Sequence, residues 1–171
     1  MAVNKSDPNE GVIFNIQTDL LGLVDELADE IPFHKVTWGK TGRTLPRKVY
    51  RVTDPMDVLE FQSLGKVVRT FEESLGRKVQ GLWLNLYESG TDHCPYHRDQ
   101  YQCNVASFSS GVTREFTTKR DGTGETKKLA LTDGTVLYFD EQFNRTHMHS
   151  VPPRKRVTER RVSVVAFLDS R

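Results

Sequence analysis

The sequence contains only two cysteines, Cys94 and Cys103, among its 171 residues. Two cysteines cannot form the multi-bridge framework that stabilises small secreted domains. Because they are not arranged as Cys-x-x-Cys, they do not indicate a structural zinc site either. The sequence therefore predicts a domain stabilised by its apolar core and located inside the cell, in the cytoplasm or the nucleus.

Long apolar runs and an excess of one charge are also missing. No stretch approaches the roughly 18 consecutive apolar residues of a membrane span, and residues 1–10 lack the apolar region of a signal peptide. We therefore expect no membrane partner. The net charge is +1, which excludes a strongly basic nucleic-acid domain and restricts any contact with DNA or RNA to local patches.

The length and the apolar spacing favour one folded domain over residues 12–171, preceded by a flexible tail at residues 1–11. Apolar residues at intervals of three and four predict a helix over residues 18–31, with Thr18 or Asp19 as its N-cap. A second helix is predicted over residues 55–75.

Both ends of this second helix carry the expected signals. Asp54 is a suitable N-cap before Pro55, and Gly76 is placed to end the helix. The basic, glycine-containing segment 38–54, which lies between the two helices, is predicted to be loop with short strand pieces and forms a possible lid over a binding site.

From Val79 onward the pattern predicts short strands joined by turns. In Val79–Tyr87 and Arg161–Leu168, apolar residues alternate with a second, more polar set, so each strand has one apolar face. Two helices followed by about eight strands indicate a mainly β, α+β fold with flanking N-terminal helices, in which the helices cover one face of a β-sandwich or jelly roll. Such a fold can hold a site at the mouth between its sheets.

His97 and Asp99 are the first candidate metal ligands. Residues i and i+2 of a strand point the same way, so both side chains would aim at one point. His149 lies far enough downstream to come from another strand across the barrel, with His147 as a competing ligand. Two histidines and a carboxylate form a face that suits Fe(II) and leaves half of its coordination sphere open.

Asn85, Tyr87 and Arg161 form a second set of candidates. Asn85 and Tyr87 share the more polar face of the strand that precedes the metal pair, and Arg161 begins the last strand. An inward-facing arginine is costly unless it is paired. A carboxylate ligand would give it a charge-assisted, bidentate partner, and the other two residues would complete the hydrogen bonds.

These residues, in this order and spacing, resemble the AlkB family of Fe(II)/2-oxoglutarate dioxygenases, most closely its animal DNA-repair members. The resemblance covers most of residues 38–168. It rests on the motifs Asn85-Leu86-Tyr87, His97-Arg98-Asp99, His149 to Val157 and Arg161-Val162-Ser163. In addition, Leu45-Pro46-Arg47-Lys48 resembles the start of the family's nucleotide-recognition lid.

The resemblance implies a double-stranded β-helix, which is a jelly roll, and the cofactors Fe(II) and 2-oxoglutarate with O2 as cosubstrate. It implies His97, Asp99 and His149 as iron ligands. It also implies Asn85, Tyr87 and Arg161 as the residues around the distal carboxylate of 2-oxoglutarate. The reaction implied is oxidative demethylation of alkylated bases, that is, dealkylation repair of DNA or RNA.

The chain departs from the family at two places. The family has a second arginine six residues after the first, which steadies the iron-bound end of 2-oxoglutarate, and here that position is Phe167. Arg160 and Arg171 are substitutes by proximity in sequence only. Repair members also carry acidic residues just after the metal aspartate, where this chain has Gln100 and Tyr101.

The sequence therefore leaves three hypotheses for the function. The first is demethylation of an alkylated base, the second is the same iron chemistry on a protein side chain or a small molecule, and the third is a non-catalytic metal-binding jelly roll. Tyr101 is suited to stack on a base or to contact a peptide, and exposed cations are suited to contact phosphates. The candidate substrate-binding residues are Arg47, Lys48, Gln100, Tyr101, Arg114, Arg154 and Lys155.

Overall fold

A computed structural model describes residues 11–39, 41–99 and 103–169. The strands are β1 Ile13–Gln17, β2 Thr37–Trp38, β3 Arg43–Thr44, β4 Lys48–Val52, β5 Val79–Tyr87, β6 Cys94–His97, β7 Asn104–Gly111, β8 Arg114–Arg120, β9 Thr126–Leu131, β10 Thr135–Phe139, β11 His147–Val151 and β12 Arg161–Leu168. The helices are α1 Val24–Glu30, α2 Gln62–Leu75 and α3 Glu141–Thr146, with a 3-10 helix at Pro55–Glu60. None of these helices is long and apolar enough to cross a lipid bilayer.

Ten of the strands form two antiparallel sheets. The larger sheet has the order β1-β10-β7-β12-β5-β4, and the smaller has the order β6-β11-β8-β9. One buried cluster joins the sheets, since it contains Phe116 of the smaller sheet together with Tyr87, Phe139 and Phe167 of the larger one. The predicted jelly roll with helices on one face is confirmed.

The alternation along the central strands explains this layering. Leu82, Leu84 and Leu86 of β5 pack with Leu64 and Phe71 of α2 in the cluster on the helical side of the larger sheet. Each such side chain contributes about 1.5 to 3 kcal/mol when it is fully buried. Val162, Val164 and Ala166 of β12 belong to the same cluster. The alternate residues of the two strands, such as Tyr87 and Phe167, face the smaller sheet, so the polar members of this second set are brought to the interior between the sheets.

The helix predicted from Thr18 is wrong over residues 18–23. Thr18 instead donates from Oγ1 to the carbonyl of Gly134 at 2.8 Å, and the Gly22 amide donates to the Asp133 carboxylate at 2.8 Å. Gly22 adopts a φ of +70°, which a helix does not allow. These contacts tie the segment to a distant turn, and the helix begins only at Val24. The strand β1 that precedes it was not predicted.

The second predicted helix is interrupted at Phe61, which is extended with φ −118° and ψ 109°. Phe61 packs edge-on against Tyr50 of β4, with ring centroids 5.9 Å apart, and this contact accompanies the break. The predicted ends are confirmed. Asp54 accepts from the Met56 amide at 2.9 Å, and Gly76 closes the helix with a φ of +61°.

The segment 38–54 does contain the short strand pieces that were predicted, but its second half belongs to the main sheet. β4 pairs with β5 along the sheet edge, and its residues Val49 and Val52 are buried. β2 and β3 form a separate two-stranded ribbon before it. The possible lid stays a prediction.

Gly90 and Gly65 provide a matched pair of substitutions for the stability of this fold. A Cβ at Gly90 would lie 1.8 Å from the Arg154 carbonyl oxygen, whereas a Cβ at Gly65 would meet nothing within 4 Å. Gly90→Ala should therefore lower the free energy of unfolding by at least about 1 to 3 kcal/mol. Gly65→Ala in α2 should raise it by about 0.5 to 1 kcal/mol. Urea titrations measure both, and equal effects of the two variants would contradict the close contact at Gly90.

Candidate active site

Strand pairing brings the two candidate histidine ligands together. β6 and β11 are antiparallel neighbours in the smaller sheet, and His149 is the direct register partner of His97. The two rings lie with their centroids 4.3 Å apart. The prediction that His149 comes from a strand across the barrel is wrong, because the two ligands lie on adjacent strands of the same sheet.

Asp99 completes the group from just beyond the end of β6. Its Oδ1 lies 3.8 Å from Nε2 of His97, and its Oδ2 lies 3.6 Å from Nε2 of His149. One ligand atom from each of the three residues lies within 4.8 Å of the others. Bonds of about 2.1 Å to a common metal would bring cis donors to about 3 Å, so small side-chain movements close the site.

The imidazole of His149 is buried between aromatic rings. Phe116 stacks on it with a centroid distance of 5.1 Å, and Phe139 lies 5.3 Å away. Burial and the nearby charge of His97 lower its pKa well below the ordinary histidine value. A neutral imidazole is the form that binds a metal, so His149 is held ready as a ligand at neutral pH.

His97 is in a different state, because its surroundings favour a proton. Its Nδ1 lies 2.9 Å from the carbonyl of Pro95, which leaves Nε2 to face the metal position. Burial lowers its pKa, but the hydrogen bond and electrostatic attraction to Cys94, the charge of Asp99 and the Pro95 carbonyl outweigh burial and raise the pKa to about 9. A metal must therefore displace a proton from His97.

Asn144 of α3 holds Asp99 in place through its backbone. The Asp99 amide donates to Oδ1 of Asn144 at 3.1 Å, and Nδ2 of Asn144 donates to the Asp99 carbonyl at 2.8 Å. Asn144 is itself buried. Sequence reasoning missed this residue, since nothing in its local pattern connects it with a residue 45 positions earlier.

Arg161 lies in the interior beside this metal face. It is only 1% exposed, and its Nη2 donates to Oγ of Ser109 at 2.9 Å. Its Nε and Nη1 are buried and have no hydrogen-bond partner in the described part of the chain. Its guanidinium lies over the ring of Tyr87, 5.2 Å from the centroid. Unpartnered N–H groups on a buried guanidinium are donors that the oxygens of a carboxylate can satisfy.

Asn85 and Tyr87 lie where the sequence predicted them, on the same face of β5 as this cradle. Oδ1 of Asn85 accepts from Nε of Arg47 at 2.6 Å and from Nε1 of Trp83 at 3.0 Å. Both lone pairs of that oxygen are therefore in use. The Nδ2 amide has no acceptor among the described residues, so it remains available to donate to a ligand.

The residues present therefore fit both groups that the AlkB resemblance implies. Two imidazole nitrogens and a carboxylate are a donor set for Fe(II). The orphaned nitrogens of Arg161 and the free amide of Asn85 are donors without acceptors, and a dicarboxylate such as 2-oxoglutarate supplies the acceptors. The structure thus brings together all six of the predicted metal and 2-oxoglutarate residues, although the role of each in binding stays a prediction.

The predicted substrate-binding residues are more scattered. Arg47 is buried beside Asn85, and Arg114 is buried with its guanidinium donating to the carbonyls of Ser89, Asp92 and Pro152. That placement favours a scaffolding role for Arg114 over direct contact with a substrate. The remaining predicted residues divide into two groups: Lys48, Arg154 and Lys155 lie at the surface, and Gln100 and Tyr101 lie outside the described residues.

Two of these surface cations already have partners. Lys48 pairs with Glu88 at 2.9 Å, and Arg154 pairs with Glu115 at 2.8 Å. Exposed pairs of this kind contribute about 0 to 1 kcal/mol, so both cations can exchange their partners for a ligand at little cost.

Phe167 is buried between the sheets, as the strand alternation predicted. Of its two suggested substitutes, Arg160 pairs with Asp25 of α1 at 2.6 Å and is directed away from the site. Arg171 lies outside the described residues. The sequence therefore did not predict which cation replaces the family's second arginine at the iron-bound end of 2-oxoglutarate.

Metal binding should depend on pH because of the proton on His97. With a pKa of about 9 in the metal-free protein, His97 is protonated at neutral pH, and the proton competes with the metal. The Kd for Mn(II), measured calorimetrically, should fall by about tenfold per pH unit from pH 7 to 8.5.

The control for this experiment is His34→Ala. It removes an exposed histidine and should leave the pH dependence of the Kd for Mn(II) unchanged. Cys94→Ala removes one cause of the raised pKa of His97, so the Kd for Mn(II) should stop falling at a lower pH than in the unaltered protein. A Kd for the unaltered protein that stops changing above pH 7 would show that His97 titrates like an ordinary histidine.

Asn144→Ala should weaken metal binding through Asp99. Loss of both backbone hydrogen bonds frees the Asp99 segment, and loss of such supporting contacts typically costs about 10- to 100-fold in metal affinity. The control is Asn104→Ala, because Asn104 also bonds to α3, at the Glu141 amide, without touching Asp99. Equal losses of Mn(II) affinity in both variants would assign the effect to α3 as a whole.

Comparison with known proteins places these observations in a family. Residues 24–166 match the model of the 2OG-Fe(II) oxygenase superfamily. The chain is 29% identical to DNA oxidative demethylase ALKBH2 of Mus musculus over 149 residues, covering 78% of this chain and 60% of the mouse protein. It is 30% identical over 102 residues to ALKBH2 of Bos taurus, covering 52% of this chain and 37% of that protein.

The chain therefore spans 60% or less of the length of these two relatives. In three dimensions it is similar to a prolyl hydroxylase from Trichoplax adhaerens, solved in complex with a peptide fragment of a hypoxia-inducible factor. The TM-score is 0.68, and the match covers 97% of this chain and 86% of that one. At 11% identity this likeness establishes the fold alone.

The predicted resemblance to the animal DNA-repair members of the AlkB family is confirmed by the similarity to the ALKBH2 enzymes. Fe(II) and 2-oxoglutarate are the cofactors of the matched superfamily, and His97, Asp99 and His149 form the corresponding metal face. On the match over residues 24–166, this chain belongs to the 2OG-Fe(II) oxygenase superfamily.

Proposed function

We propose that the protein is an Fe(II)/2-oxoglutarate-dependent dioxygenase, and that its substrates are alkylated bases in nucleic acid. The observation that carries the first part is the pairing of a two-histidine, one-carboxylate face with a buried arginine that has two unpartnered nitrogens. The metal face suits Fe(II), and the arginine needs a carboxylate. One ligand, 2-oxoglutarate, satisfies both requirements.

In this mechanism the protein chiefly binds, orients and shields. His97, Asp99 and His149 would hold the iron from one side and leave its other side for ligands. Arg161, Tyr87 and Asn85 would bind the dicarboxylate. Fe(II) with 2-oxoglutarate and O2 supplies the oxidation of a substrate C–H bond, with release of succinate and CO2. Phe116 and Phe139 keep water away from the buried side of His149.

The nucleic-acid part of the proposal is supported by the names of the relatives and by local charge. The relatives are DNA oxidative demethylases. Arg154, Lys155 and Arg156 form an exposed basic run directly after the strand that carries His149, and such a run can contact phosphates. On an N-methyl base, hydroxylation of the methyl group leads to its loss as formaldehyde. An intracellular site of action, in the cytoplasm or the nucleus, is part of this proposal.

Turnover of 2-oxoglutarate tests the enzymatic part. The Fe(II)-loaded protein should convert 2-oxoglutarate to succinate in air, at least slowly in the absence of a second substrate. His97→Ala should abolish this activity, because it removes a metal ligand. Lys127→Ala, which alters an exposed residue of β9, should leave it unchanged. Intact iron binding without succinate, with or without candidate substrates, would identify a non-catalytic metal-binding jelly roll instead.

A panel of methylated DNA and RNA oligonucleotides tests the substrate. At least one should lose a methyl group by mass spectrometry, with formaldehyde released in equal amount. If succinate forms but every methylated base is inert, the nucleic-acid part is wrong and a protein or small-molecule substrate takes its place.

A further inference from the structure

Three arginines lie buried around one tyrosine, and none has a carboxylate partner among the described residues. Arg47 is 7% exposed, Arg114 1% and Arg161 1%, and the described part of the chain places no carboxylate oxygen within ion-pair distance of any of them. Buried charges are normally paired, because burial of an isolated charge is costly. The cluster is therefore suited to bind anionic groups from outside the chain.

The three arginines differ in how far their own hydrogen bonds are satisfied. Arg114 donates to three backbone carbonyls, and its Nε is buried without a partner in the described part of the chain. Arg161 donates to Ser109 and has two orphaned nitrogens, and the proposed function supplies a carboxylate there. Arg47 donates from Nε to Asn85 and makes a weak 3.5 Å contact from Nη1 to the His93 carbonyl. Its Nη2 has no partner among the described residues.

Arg47 also lies closer to the metal face than the sequence suggested. The His93 carbonyl that it contacts lies directly before β6, the strand that ends in His97. Arg47 thus bridges Asn85 on the larger sheet and the metal-bearing strand of the smaller one.

2-Oxoglutarate carries a second carboxylate, beside its 2-oxo group. Adjacent carboxylate and carbonyl oxygens chelate a metal, so this end of the molecule belongs at the metal face. Strand β12 supplies no cation there, since its inward position 167 is a phenylalanine. Arg160 is paired with Asp25 on the side of α1, and Lys48 is paired with Glu88 at the surface.

We propose that Arg47 binds the metal-side carboxylate of 2-oxoglutarate and positions it together with the Nδ2 amide of Asn85. This assignment rests on the proposed function. It replaces the prediction that Arg47 contacts the substrate and the prediction that Asn85 lies at the distal carboxylate. The two carboxylates of the cosubstrate would then be divided between two buried arginines, Arg161 at the far end and Arg47 at the metal end. Lysine at position 47 would keep the charge but lose the fork that can bond Asn85 and a carboxylate at once.

The test separates the two ends of the ligand by using two probes. 2-Oxoglutarate has both carboxylates, whereas 2-oxopentanoate keeps the metal-side end and has a methyl group at the far end. Their Kd values are measured without oxygen, from the charge-transfer absorption that appears when a 2-oxo acid binds the Fe(II)-loaded protein. This readout reports binding and needs no turnover.

Arg47→Gln should raise the Kd of both probes by a similar factor, about 10- to 100-fold, as expected for loss of a hydrogen bond to a charged group. Arg47→Lys should give a smaller loss. Arg161→Gln is the matched control, and it should raise the Kd of 2-oxoglutarate while leaving that of 2-oxopentanoate nearly unchanged.

Each outcome has a distinct meaning. If the unaltered protein binds 2-oxoglutarate and Arg47→Gln binds both probes equally well, the assignment of Arg47 is wrong and the proposed function stands. If Arg47→Gln instead loses only oligonucleotide affinity, Arg47 is a substrate-binding residue. If the unaltered protein binds neither probe, the proposed function fails. Mn(II) affinity and the thermal unfolding midpoint show whether a variant has kept its fold, and Arg47→Lys carries the test if Arg47→Gln has not.

Discussion

The buried guanidinium of Arg161 is the constraint on which the site depends. It lies between two sheets, over the ring of Tyr87, with two nitrogens that no described residue satisfies. Its pKa is lowered from the ordinary arginine value mainly by burial, although the nearby Tyr87 opposes this effect. A fold that keeps such a group is stabilised when an anion binds to it. The arginine is thus better explained by a ligand than by the stability of the free protein.

Sheet register places the metal face next to this arginine. The pairing of β6 with β11 aligns His97 with His149, and the pairing of β12 with β5 aligns Arg161 with Tyr87. A shift of either pair by one residue would turn the functional side chains to the opposite face of the sheet. In the β5–β12 pair, the leucines of β5 and the valines of β12 prevent that shift, because their burial against the helices fixes which face points inward. Packing on one side of the larger sheet therefore positions chemistry on the other.

Much of this could be predicted from the sequence where the signal is local. The two-residue alternation of Val79–Tyr87 and Arg161–Leu168 predicts both the strands and their faces, and the structure has the same bounds. The metal ligands His97 and Asp99 could be predicted for a related reason, because they are close in sequence. The helix from Thr18 was mispredicted because the competing contacts, with Asp133 and Gly134, come from more than a hundred residues away.

The unpredicted parts of the site share that cause. Asn144 supports Asp99 through backbone hydrogen bonds that leave no pattern in the sequence. In the sequence, Arg47 is one of several cations in a basic loop, and only the fold shows that it is buried against Asn85. Cys94 lies only three residues before His97, but its 3.5 Å contact with Nδ1 of His97 is visible only in the structure.

The most direct test of the central claim is a crystal structure of the protein with Mn(II) and 2-oxoglutarate, without oxygen. Mn(II) should be bound by His97, Asp99 and His149, and a carboxylate of 2-oxoglutarate should lie within hydrogen-bond distance of Nε or Nη1 of Arg161. A metal bound elsewhere, or a 2-oxoglutarate molecule that leaves both nitrogens of Arg161 without a partner, would contradict the central claim.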